Sequence, residues 1–101
     1  MTERHLADLP LARLRHHLPT GLLLEWHDGR GLYQAAYNER GQVESVCQWT
    51  GQRWVLRGRG QRPWRRAQEA LIVYRFTGTL PPGFQFAFPT PGQPWVSPIL
   101  Q

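Results

Sequence analysis

The stretch LLLEWHDGRGLYQAAYNERGQVESVCQWTGQRWVLR, Leu22–Arg57, decides the fold. Leu22, Leu24 and Trp26 alternate with Leu23, Glu25 and His27, a period of two that marks a strand. Asp28-Gly29-Arg30-Gly31 turns the chain. Tyr33, Ala35 and Tyr37 then alternate with Gln34 and Ala36, and Asn38-Glu39-Arg40-Gly41 turns it again. Val43, Ser45, Cys47 and Trp49 stand opposite Glu44, Val46 and Gln48. After a third turn at Thr50-Gly51-Gln52, Trp54 and Leu56 alternate with Arg53, Val55 and Arg57. Asp or Asn opening a turn and Gly closing it is the chemistry that tight hairpin connections need. These residues predict a four-stranded antiparallel meander.

The alternation predicts two unlike faces. One carries Leu22, Leu24, Trp26, Tyr33, Ala35, Tyr37, Val43, Cys47, Trp49, Trp54 and Leu56. The other carries Glu25, His27, Gln34, Glu44, Gln48, Arg53 and Arg57. An apolar sheet face must be covered by another element. Upstream, Asp8 suits an N-cap and Pro10 the first helical turn, and Leu11, Leu14 and Leu18 recur at helical spacing until Pro19 and Gly21. A short N-terminal helix is therefore expected to pack on one face.

Downstream, Pro63 to Ala70 has helical character, with Trp64, Ala67 and Leu71 on one side. Leu71-Ile72-Val73-Tyr74-Arg75-Phe76-Thr77 is rich in β-branched and aromatic residues, which favour a strand. Leu80-Pro81-Pro82-Gly83 turns it toward Phe84, Phe86 and Phe88. A second hairpin is the preferred reading here, with a long helix as the alternative. The fold class expected is α+β, with residues 1–88 forming a single domain and the proline-bearing segment 89–101 an extended arm.

Composition sets the remaining bounds. A chain of 101 residues, 41% hydrophobic and 19% charged, fits one globular domain rather than a disordered segment. No stretch approaches the roughly 18 to 20 apolar residues of a membrane helix, and Leu22-Leu23-Leu24 falls far short of a signal-peptide core. A soluble protein without a membrane partner is expected. The single cysteine, Cys47, cannot form an internal disulfide and suits a reducing, cytoplasmic setting.

Net charge is +5, and all twelve basic residues are Arg. Codon bias is the plainer account of such usage, and a demand for planar, bidentate guanidinium groups is the functional one. Position is more informative. Between Ser45 and Gln68 there is no Asp or Glu, but six Arg: Arg53, Arg57, Arg59, Arg62, Arg65 and Arg66. The rest of the chain holds six Arg against seven acids. All of the excess positive charge therefore belongs to this one segment.

Catalytic chemistry finds little footing. Cys47 falls in phase with core residues and reads as an inert thiol. On a helix, the adjacent His16 and His17 would point about 100° apart, and His5 and His27 have no metal-site spacing. Glu25 and Glu44, near His27 and two Arg, read as a neutralised network rather than a general acid and base. Arg57-Gly58-Arg59-Gly60 lacks the spacing and context of a phosphate loop. No catalytic residue, metal site or cofactor is expected.

Binding has a better case. The candidate contact set is Arg53, Trp54, Arg57, Arg59, Arg62, Trp64, Arg65 and Arg66, in which guanidinium groups would meet phosphates and indoles would stack on unpaired bases. Gly58 and Gly60 would let the intervening loop bend around a backbone. The alternative partner is an acidic protein surface, engaged by the same Arg and Trp residues. In that reading Trp95, Ile99, Leu100 and the Pro91-Gly92-Gln93-Pro94 spacing of the arm would also take part. A small-ligand carrier is a third possibility that no residue specifies. The expectation is a non-enzymatic α+β binding module, with nucleic acid preferred to protein.

Overall fold

The structure, a computed structural model, describes residues 16–89. The meander forms as β1 (Leu23–His27), β2 (Leu32–Tyr37), β3 (Val43–Trp49) and β4 (Trp54–Arg57). One helix, α1 (Arg62–Thr77), and a last strand, β5 (Phe84–Ala87), follow. All five strands make one antiparallel sheet in the order β4-β3-β2-β1-β5.

The second hairpin is not formed: residues 71–77 belong to α1, and the helical alternative is the correct one. Pro63 sits in the first turn, where its missing N–H removes no helical hydrogen bond. Ala67, Ala70 and Leu71 are buried at helical spacing, and two alanines let the backbone approach the sheet closely. Packing thus outweighs the β preference of Ile72 and Val73. Gly78, at φ 80°, ends the helix in the left-handed conformation, its N–H donating to the Tyr74 carbonyl at 2.7 Å. Phe84 and Phe86 do form a strand, but they pair with Trp26 and Leu24 of β1.

The covering helix therefore follows the four strands. Of the expected N-terminal helix, Asp8, Pro10, Leu11 and Leu14 lie outside the described residues, as does most of the proline-bearing arm. His16, His17 and Leu18 are not helical. Leu18 nevertheless joins the core.

The face assignment changes at one point. Ala36 pairs with Ser45, but Tyr37 pairs with Val43, leaving Glu44 as an extra residue in β3. Such a bulge reverses the side-chain phase of the strand beyond it. Val43 lies on the helix-covered face before the bulge; after it, Val46 and Gln48 do. Cross-strand partners fix the phase: Leu24, Ala35, Val46 and Arg57 form one row, and Trp26, Tyr33, Gln48 and Val55 the next. Cys47, Trp49, Trp54 and Leu56 instead share the second face with Glu25, Gln34 and Gln85.

On the covered face, Trp26 is sandwiched between Tyr33 and Phe84, with ring centroids 5.2 Å away in each case. Tyr74 of α1 meets Phe86 edge-on at 5.0 Å. On the second face, the Glu25 carboxylate accepts hydrogen bonds from the Gln34 and Gln85 amides, both at 2.6 Å.

Candidate nucleic-acid interface

Because the bulge turns Gln48 and Arg57 toward α1, they meet the start of that helix. The Arg57 Nε–H donates to Gln48 Oε1 at 2.9 Å, and a second guanidinium nitrogen donates to the same oxygen. Gln48 Nε2 donates in turn to the Arg30 carbonyl at 3.1 Å. The β1–β2 turn can lie this close to β3 because Gly31 has no side chain. A Cβ there would stand 2.7 Å from the Trp49 carbonyl oxygen.

The third wall is the helix N-terminus. Gln61 occupies the N-cap position without a side-chain cap; its Oε1 accepts the Gly58 N–H at 2.9 Å instead. No acidic residue lies in the first turn. The partial positive charge of that helix end is therefore unopposed by its own side chains. Arg30, Arg57 and Arg62 thus surround a cleft of about 440 Å³, with Tyr33, Gln48 and Asp28 also in its wall. Asp28 is the one carboxylate there, and it is engaged: Arg66 lies 3.6 Å from it, and the Arg30 backbone N–H donates to it at 3.0 Å.

The eight expected contact residues are not one patch. Arg57 and Arg62 line the cleft, and Arg66 pairs with Asp28 of its wall, with its guanidinium also over the Phe84 ring at 5.5 Å. Arg59 covers the Trp64 ring at 5.5 Å, and both line a neighbouring hollow of about 520 Å³ with Gln68 and Glu44. Trp64 also packs against the core, so its indole is occupied on both counts. Arg65 is exposed on α1. Arg53 is exposed in the β3–β4 turn, and Trp54 lies on the second face, 5.4 Å from Trp49.

Three residues of the cleft, Arg30, Tyr33 and Gln48, lie outside the contact set expected from sequence. Arg30 is isolated among turn residues, and Tyr33 alternates in phase with the core. Gln48 falls on the wrong face unless the bulge is known. An Arg between two glycines in a tight turn is the only local signal of the three.

Cys47 is buried, and burial pushes its thiol up to about 12. Tyr37 is likewise pushed up to about 12, by burial first and then by the neighbouring Tyr74; its hydroxyl donates to the Pro19 carbonyl at 2.6 Å. Glu44, at the bulge, lines the Arg59 hollow, whereas Glu25 is held by amides on the second face, so the two carboxylates do not form a pair. Among the described residues no cluster of His, Cys, Asp and Glu could hold a metal ion, and no helix is long and apolar enough to cross a membrane. Comparison with protein-family models, curated proteins and solved structures finds no match to this chain.

Proposed function

We propose that this chain is a binding module, not an enzyme, and that it contacts the phosphates of nucleic acid at the cleft where α1 begins. The observation that carries the reading is the convergence of Arg30, Arg57 and Arg62 on an uncapped helix N-terminus. Guanidinium groups and the partial positive charge of a helix N-terminus together favour phosphate oxygens. Arg65 and Arg66 extend the basic surface along α1, and Arg59 extends it along the loop that precedes the helix.

Oligonucleotide affinity measured against salt tests this. With about three to five phosphate contacts, log affinity should fall with log salt at a slope of about −2 to −4 for single strands. Arg30→Gln with Arg62→Gln, both exposed positions, should flatten that slope by about one to two units and leave the fold intact. An unchanged slope in the double variant overturns the reading.

A second reading, docking of a protein partner, is favoured by one feature. Edge strand β4 presents Leu56, 57% exposed, and neighbouring Trp49 is 36% exposed. That reading expects no oligonucleotide affinity at about 50 mM salt, where phosphate contacts are strongest.

A further inference from the structure

We infer that the cleft at the start of α1 is a pocket for a phosphate monoester, so that the group recognised is a phosphorylated end rather than a passing backbone phosphodiester. The inference rests on the nucleic-acid reading and goes beyond it by naming the chemical group.

The first support is charge. A monoester carries about −1.5 to −2 and three terminal oxygens, whereas a backbone phosphodiester carries −1 and two. Arg30, Arg57 and Arg62 line one cleft, and the positive end of a 16-residue helix opens onto it. That is more positive charge than one phosphodiester can match. The one carboxylate in the wall, Asp28, is already balanced by Arg66.

The second support is independent of the helix end. Tyr33 is only 4% exposed and its ring is held in a stack on Trp26, yet it lines the cleft. A phenol hydroxyl in the wall of a cleft can donate to a phosphate oxygen that enters it. An end group entering the cleft would meet this wall.

The third support is size and rigidity. About 440 Å³ lies within the range of small-ligand sites and exceeds what phosphate alone would fill, leaving room for the attached sugar. Arg57 is already held by Gln48, so part of the ordering cost is met before the ligand arrives.

The test compares short single strands, identical except for a 5′-phosphate, a 3′-phosphate or hydroxyl ends, with inorganic phosphate and a nucleoside monophosphate as further probes of the full chain. One phosphorylated strand should bind about tenfold more tightly than the hydroxyl-ended strand, and the monophosphate should compete for it. Tyr33→Phe keeps the ring stacked on Trp26 and should erase most of that preference, as should Arg62→Gln. Equal binding of all three strands overturns the inference while leaving the nucleic-acid reading intact. Monophosphate binding without any strand binding overturns that reading and keeps the pocket. If no probe binds, both are overturned.

Discussion

Gln48 Oε1 accepts the Arg57 Nε–H at 2.9 Å while Gln48 Nε2 donates to the Arg30 carbonyl at 3.1 Å, so one amide, 8% exposed, ties two arginine-bearing segments together. Gln48→Leu preserves much of the volume but strands both partners. It should cost about 1 to 3 kcal/mol in urea denaturation, as unsatisfied polar groups in a part-buried site do. Gln48→Glu keeps the contact with Arg57 but adds a negative charge beside the cleft. It should therefore lower oligonucleotide affinity by more than its stability loss explains. Equal effects of the two variants on binding would show that Gln48 only supports the fold.

The two tryptophans of β1 and β3 should behave oppositely. Trp26 is 2% exposed between Tyr33 and Phe84, and Trp26→Ala should cost about 3 to 5 kcal/mol. Trp49→Ala, on the second face, should cost less than Trp26→Ala, since Trp49 is 36% exposed and, among the described aromatic rings, its ring meets Trp54 alone, at 5.4 Å. Chemical denaturation of both variants checks the face assignment directly. A larger loss at Trp49 than at Trp26 would contradict the bulge.

That contrast shows what the sequence can and cannot disclose. Alternation and turn chemistry are local, so Leu24, Trp26, Tyr33 and Ala35 are legible as core, as is the strand at Phe84 and Phe86. The bulge is not local. Nothing in Val43-Glu44-Ser45-Val46 announces that Glu44 is unmatched, because the mismatch exists only against Ala36 and Tyr37 of the neighbouring strand. One extra residue moves Cys47 and Trp49 off the covered face and Gln48 and Arg57 onto it. The basic segment itself is legible as charge. Its division into a cleft, a Trp64 hollow and a separate Arg53 is not, since that depends on where α1 begins. The helix is hidden for a related reason: Ile72 and Val73 prefer strands in isolation, and only the fit of Ala67 and Ala70 against the sheet reverses the preference.

Gly31 tests how tightly the turn carrying Arg30 is fixed. A Cβ would meet the Trp49 carbonyl oxygen at 2.7 Å, and backbone cannot rotate aside as a side chain can. Gly31→Ala should destabilise by about 1 to 3 kcal/mol, in the range of overpacked sites, and should weaken oligonucleotide binding as Arg30 shifts. At Gly60 an added Cβ would meet nothing within 4 Å, and φ is not positive. Gly60→Ala therefore serves as the matched control, with stability within about 0.5 kcal/mol of the parent.

Cys47 gives a prediction with a defined pH window. Burial raises its thiol from 9.0 to about 12, so the folded state disfavours the thiolate. Below pH 9 the thiol is protonated whether the chain is folded or not, and it does not make stability depend on pH. Between 9 and about 12 the unfolded chain releases the proton and the folded chain keeps it, so stability falls as pH rises through that interval. Tyr37, raised from 10.0 to about 12, adds a parallel loss over the upper part of the same window. Cys47→Ala should therefore flatten the alkaline decline that begins near pH 9, whatever its effect on stability at neutral pH. The native thiol should also resist a thiol reagent at about pH 7 until denaturant is added, since the accessible thiolate is the reactive form. Rapid stoichiometric labelling of the folded protein, together with an unchanged alkaline decline in Cys47→Ala, would show that Cys47 is accessible on the second face rather than enclosed within it.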